Sequence, residues 1–129
     1  MKRILPILTP FYLFFMLGAL GCASGKQDFE IRLAPIHEVK VNIAESYPPQ
    51  VLVYIKGGLS DGCTTFHKLT KERHGNTIEI TVTTKRPKEA ICTQVYGFFE
   101  QNLNLGSDFA PGETYTLKVN DKVSTFIIQ

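Results

Sequence analysis

The chain has 129 residues, 14 basic and 12 acidic, and no tryptophan. Lys2 and Arg3 precede an uncharged run from Ile4 to Gly21, and the charges that follow that run cancel. A neutral remainder whose densest basic patch is "TKRPK", Thr84 to Lys88, lacks the phosphate-neutralising surface on which nucleic-acid binding rests, so no nucleic-acid partner is expected.

Taken in chain order, residues 1–21 read as a signal peptide: a positive start, then an apolar run that ends in small residues. The run is long enough for a membrane span, but Pro6 and Pro10 interrupt its first half, which suits a cleaved peptide better than a permanent helix. Its end, "LGALGC" (Leu17 to Cys22), resembles the lipobox of bacterial lipoproteins, with small residues at Ala19 and Gly21 and a less usual Leu20 between them. That resemblance implies a diacylglycerol on the Cys22 thiol, cleavage before it, and acylation of the new amine. It also implies a bacterial cell-envelope address, and Ala23 after the cysteine favours the outer membrane where two membranes exist. Several acyl chains, each buried methylene contributing about 0.8 kcal/mol, anchor stably. Residues 22–35, which begin "CASGKQD", are then expected to form a flexible tether, and residues 36–129 one folded domain.

Beyond Pro35 the pattern alternates. Ile36, Val39, Val41 and Ile43 supply an apolar side and predict a strand, which "YPPQ" (Tyr47 to Gln50) ends. "VLVYIKG", Val51 to Gly57, is a second strand rich in β-branched and aromatic residues, followed by a glycine loop over 57–63. A strand from Cys63 leads to turn chemistry at "HGN", His74 to Asn76, and "TIEITVTT", Thr77 to Thr84, returns as the hairpin partner with Ile78, Ile80 and Val82 on its buried face. Arg86 and Pro87 end that strand. Residues 90–106 read either as one bent strand or as two short ones with Gly97 at the bend. "TYTLKV", Thr114 to Val119, turns at Asn120-Asp121 into the final strand.

If Cys22 carries lipid, Cys63 and Cys92 remain, and in an oxidising compartment two cysteines permit one pair. Closing that loop of roughly 30 residues is worth about 3.5 kcal/mol in the chain-entropy model. The bridge would join the two sheets or close the end of one. A zinc site at Cys63 and His67 is disfavoured, because four residues along a strand span about 13 Å and no further ligand lies nearby.

About seven strands, frequent turns and no amphipathic helix predict an all-β fold: an antiparallel, immunoglobulin-like β-sandwich with one disulfide. The set "GGLSDGCTTF", "RHGNTIEITV", "AICTQ", "FEQNLNLG" and "PGETYTLKVN" resembles small uncharacterised secreted or lipoprotein domains of bacteria, over about residues 36–128. The resemblance implies a cell-envelope β domain and carries over no activity. Tyr115, in a Pro-Gly-x-x-Tyr setting, either bonds its hydroxyl at a sheet corner or is an alternating core aromatic.

No G-x-S-x-G elbow, H-E-x-x-H helix or P-loop occurs. His37, His67 and His74 are the three histidines. A thiol nucleophile would need a free cysteine, which export leaves oxidised, so His67 in a strand and His74 in a turn read as ordinary surface imidazoles, and Asp61 reads as a loop-shaping carboxylate rather than a calcium ligand. No catalytic residue, cofactor or metal is expected. The expected partners are the membrane, through the N-terminal lipid, and an envelope protein or glycan. Recognition is expected at the loops 57–62, 84–89 and 106–113, with Tyr96 and Phe98 on one strand face and Phe99 on the other; core packing on both faces is the favoured reading of those three rings. The alternatives are an extracytoplasmic protease inhibitor and, behind it, a small hydrolase or redox protein.

Overall fold

The computed structural model describes Gly21 and residues 28–129; residues 1–20 of the signal-peptide segment and Cys22 lie outside the described residues. Eight strands form two layers. They are β1 (Phe29–Leu33), β2 (Ile36–Ala44), β3 (Gln50–Leu59), β4 (Thr65–His74), β5 (Thr77–Pro87), β6 (Gly97–Gly106), β7 (Thr114–Val119) and β8 (Lys122–Ile127). One sheet has three strands in the order β2-β3-β6; the other has five, with β5 at its centre.

The all-β sandwich with a single bridge is thus the fold, with one strand more than expected. That strand is β1, inside the stretch read as tether. Its antiparallel register runs from Phe29 opposite Pro87 to Leu33 opposite Thr83. The same pairing carries β5 past Thr84 to Pro87, where the strand ends as expected. A proline donates no ladder hydrogen bond and so sits at a strand's end, and there the Lys88 amide donates to the Asp28 carbonyl at 2.9 Å, closing the ladder. At Ala34-Pro35 the chain leaves the larger sheet for the smaller one: the Ala34 amide donates to Val82, and the Pro35 carbonyl accepts from Gly58.

β5 has β4 along one edge and shares its other edge between two partners. β7 pairs with Thr77 to Ile80, in parallel, and β1 pairs with Thr83 to Pro87. The β5–β7 pair is the one parallel ladder among otherwise antiparallel neighbours. The gap between β7 and β1 is filled by Asn120. Its backbone has φ +51°, a left-handed conformation that asparagine tolerates. Its side-chain oxygen accepts from the Val82 amide at 2.9 Å, and its side-chain nitrogen donates to the carbonyls of Ala34 (2.8 Å) and Val82 (2.9 Å). A tight turn was expected at this residue; in addition it joins three strands.

Alternation builds the core. Val51, Val53 and Ile55 from β3 face Ile78, Ile80 and Val82 from β5 and Tyr115, Leu117 and Val119 from β7, all buried. Phe99 covers Gly57, where an added Cβ would overlap its ring.

Candidate functional site

Three regions carry polar or aromatic side chains in defined arrangements. The first is the bridged end. Cys63 lies in the β3-to-β4 connection and Cys92 in the β5-to-β6 connection, both of which cross between sheets. Their disulfide, with Cα atoms 5.5 Å apart, ties the two crossovers together rather than joining strand to strand. Asp61 organises the first crossover. One of its oxygens accepts from the amides of Cys63 (2.9 Å) and Thr64 (3.0 Å) and from the Thr64 hydroxyl. The other accepts from Arg86 Nε at 2.7 Å. Arg86 reaches on to the Ala90 carbonyl and to Cys92 Sγ (3.3 Å), so one guanidinium spans both crossovers. Desolvation pushes the Asp61 carboxyl up, but the bonds from Arg86, the Cys63 amide and Thr64 outweigh it and hold the pKa at about 2. The loop-shaping role read for Asp61 is what the geometry shows.

The second region is the opposite end, where the 107–113 connection is fixed by Tyr115 and Arg73. The buried Tyr115 hydroxyl accepts from the Ala110 amide at 2.6 Å, so both readings of this ring hold: it is core and it bonds at the corner. Arg73 lies 4.6 Å from the Phe109 ring centroid and donates to the Asp108 carbonyl. This connection and the two crossovers are therefore at opposite ends of the sandwich. The expectation of one recognition surface shared by loops 57–62, 84–89 and 106–113 fails for that reason. Gly57 and Gly58 also belong to β3, and 84–87 to β5.

The third region is the outward face of the three-stranded sheet. Register places Gly58 and Phe98 in one row, Glu38, Lys56 and Glu100 in the next, then Lys40, Tyr54 and Asn102, then Asn42, Leu52 and Asn104; His37, at the bulge between Ile36 and Glu38, brings its ring to the Gly58 row. Packing of both Tyr96 and Phe98 into the core does not occur: Tyr96 is 46% and Phe98 55% exposed, while Phe99 is buried. The cause is Gly58. Without a side chain there, the Tyr96 ring lies across the strand, and its hydroxyl meets His37 Nε2 at 2.5 Å. Tyr96 and Phe98 contact edge to face at 5.4 Å, His37 stands edge-on to both, and Lys56 Nζ sits 4.6 Å from the Phe98 centroid. Next along, the Tyr54 hydroxyl donates to Glu100 at 2.7 Å. That bond, helped by partial desolvation and the Glu100 and Glu38 charges, pushes the phenol up to about 12. A shallow hollow follows, lined by Asn42, Leu52, Tyr54, Asn102 and Asn104. The sequence signal for this face was the pair Gly57-Gly58 opposite Phe98-Phe99, which is visible only once the register is known.

The histidines are dispersed. His37 is on this face, His67 at the β4 bulge contacts the Thr83 hydroxyl, and His74 at the β4–β5 turn lies 3.4 Å from Glu72. Among the described residues, two groups of side chains have metal-ligand chemistry. In the Asp61, Cys63 and Cys92 group both sulfurs are consumed by the bridge; Glu72, His74 and Glu79 are all exposed.

A two-layer β sandwich with one bridge across its crossovers and a polar-aromatic outer face defines a small disulfide-closed β-sandwich domain. The chain belongs to the ORF11 beta-sandwich domain family, whose model matches residues 53–128. It is similar to the "Uncharacterized 10.2 kDa protein in HgiCIIM 5'region" of Herpetosiphon aurantiacus, with 48% identity over 86 residues, 67% of this chain and 90% of the relative. It is also 51% identical over 76 residues to the "Uncharacterized 10.2 kDa protein in HgiBIM 5'region" of the same organism, covering 59% of this chain and 92% of the relative. No solved structure matches.

Proposed function

We propose that this is a noncatalytic binding domain of the bacterial cell envelope, held by lipid on Cys22, whose recognition surface is the outward face of β2, β3 and β6. One observation carries the reading: Tyr96 and Phe98 are held out of the core, over Gly58, in a fixed arrangement with His37 and Lys56. Holding two large rings in a defined geometry at a surface costs apolar burial, and rigid aromatics ringed by polar groups are the usual centre of a binding interface.

A protein partner fits this face better than a glycan. A sugar chain stacks on successive coplanar rings, whereas Tyr96 and Phe98 are inclined at 73° and His37 at 72° to Phe98. The charge row Glu38, Lys56 and Glu100 beside them matches an alternating polar rim on a partner. The noncatalytic reading is supported by the dispersal of the three histidines and by the engagement of Cys63 and Cys92 with each other.

The test is photo-crosslinking in intact cells with a benzophenone amino acid in place of Phe98, of Leu52, or of Thr81 on the opposite face. A discrete protein adduct at positions 98 and 52 and none at 81, with binding of the identified partner weakened by Phe98→Ala, is the expected result. Adducts of equal yield at all three positions would refute the assignment of the face. Binding to purified envelope polysaccharide that Phe98→Ala abolishes, without a protein adduct, would replace protein with glycan.

A further inference from the structure

We propose that the outward face of the five-stranded sheet, at β1, rests on the lipid bilayer, and that this turns the Tyr96–Phe98 face away from the membrane. The inference rests on the reading of Cys22 as the lipid anchor.

β1 presents Phe29, Ile31 and Leu33 on one side, and they are 42%, 49% and 63% exposed. Register puts them on the outward face, opposite Pro87, Lys85 and Thr83. Across the same face β8 exposes Val123 (64%) and Ile127 (48%). Three large apolar side chains in a row gain nothing from water, and among the described residues no further layer covers them.

The place of this strand in the chain names the occupant. At 3.3–3.6 Å per residue, Phe29 begins at most about 25 Å from an acylated Cys22, so the first strand cannot leave the neighbourhood of the bilayer. Such a tether converts a weak surface contact into an intramolecular one at high effective concentration. Charge agrees with the occupant. Lys85 lies 5.2 Å from the Phe29 ring centroid and Lys68 stands beside Thr83 in the row of Leu33, while Lys118 is paired with Glu79, and Glu72 with Glu79 in turn, farther from β1 on the same face. Apolar side chains flanked by lysines are the composition that settles at an anionic lipid interface. The two outer faces of a sandwich point in opposite directions, so docking at β1 presents His37, Tyr96, Phe98 and Tyr54 outward.

The chain contains no tryptophan, so Ile31→Trp and Phe98→Trp each install a single fluorescent reporter. The membrane-bound protein, carrying its own N-terminal modification, is reconstituted into vesicles of phosphatidylglycerol and phosphatidylethanolamine with plain or brominated acyl chains. Interfacial side chains reach roughly 5–10 Å into the headgroup–acyl boundary, so the position-31 emission should fall about twofold with brominated lipid while position 98 is unchanged. Leu33→Trp, expected to behave like position 31, guards against a local defect at one site. Vesicle-bound protein whose reporters respond equally, or not at all, overturns the inference and leaves the anchor intact. If that protein is also dimeric, the stripe belongs to a second copy and the inference is equally overturned. Protein that does not stay with vesicles and has an unmodified Cys22 by mass spectrometry refutes the anchor first, and the docking with it.

Discussion

Asn120 is where the larger sheet is most sensitive to a single change. Asn120→Gly removes the side chain while keeping the φ of +51° free of strain. The Val82 amide and the Ala34 carbonyl then lose their partners. The Val82 carbonyl keeps the Ala34 amide. Val82 is 0% and Ala34 2% exposed while the Asn120 side chain covers them, and the orphans left by its removal stay below the surface hollow that Asn120 lines. At about 1–3 kcal/mol for each unsatisfied buried group, the cost for the two is about 2–6 kcal/mol, much of the roughly 5–15 kcal/mol of a typical domain. Asn120→Ala adds about 1–2 kcal/mol for a left-handed alanine. Asn120→Asp keeps the acceptor but aims a carboxylate at two carbonyl oxygens, so it should exceed the glycine variant above the carboxyl pKa. Urea unfolding with an unchanged m-value gives the energies, and hydrogen exchange at Val82 reports the local loss. A glycine variant that costs under about 1 kcal/mol, or a Val82 amide as protected as in the parent, would refute the claim that this side chain joins β1, β5 and β7.

Reducing the Cys63–Cys92 bridge, whose partners are 29 residues apart, should cost about 3.5 kcal/mol. That corresponds to a fall in Tm of about 14–28 °C in a domain of this size, read by calorimetry with and without dithiothreitol. Against desolvation, which pushes it up, Arg86, the Cys63 amide and Thr64 hold the Asp61 carboxyl at about 2, below its ordinary 3.8. The stability it contributes is complete above about pH 4 and is lost as pH falls through about 2; Asp61→Asn should remove that part of the acid dependence in unfolding curves taken from pH 6 to pH 2. Tyr115→Phe deletes only the bond to the Ala110 amide and should cost about 1 kcal/mol in urea unfolding, with faster exchange confined to residues 107–113.

Periodicity carried most of the fold. The strands seen as β3, β5 and β7 have period-two patterns with one buried face, and that signal survives without any knowledge of partners. β1 carries the same alternation, Phe29, Ile31 and Leu33 against Glu30 and Arg32, and was legible as a strand; what its sequence does not show is that the apolar side faces outward. The run of β5 beyond Thr84 goes with it, since only β1 pairs there on that edge. Residues 90–106 stayed ambiguous because the bridge and the Arg86 contacts hold 90–96 without a ladder, so only Gly97–Gly106 is strand. The candidate face was the least legible part. Its rows are set by register between β2, β3 and β6, which are distant in sequence, and a one-residue slip would exchange Tyr54 and Lys56 for Val53 and Ile55.

The two adjacent glycines of β3 explain why a sandwich of this size turns two of its aromatic rings outward. Successive residues of a strand point to opposite faces, so Gly57 leaves room inside and Gly58 leaves room outside. Phe99 fills the inner space and Tyr96 lies across the outer one. A side chain at either position would meet a ring, and the two consequences differ. At Gly57 the added Cβ would displace Phe99 from a closed core and its contact with Phe66, so Gly57→Ala should lose stability broadly. At Gly58 it would overlap the Tyr96 hydroxyl and press on His37 Nε2 at 2.8 Å. Tyr96 can swing into solvent, so Gly58→Ala should leave Tm nearly unchanged while it separates the Tyr96–His37 pair, visible as the loss of contacts between their ring protons in NMR spectra. If Gly58→Ala proves as destabilising as Gly57→Ala, the outer rings support the fold rather than present a surface, and the face proposed for recognition would have to be sought elsewhere on the molecule.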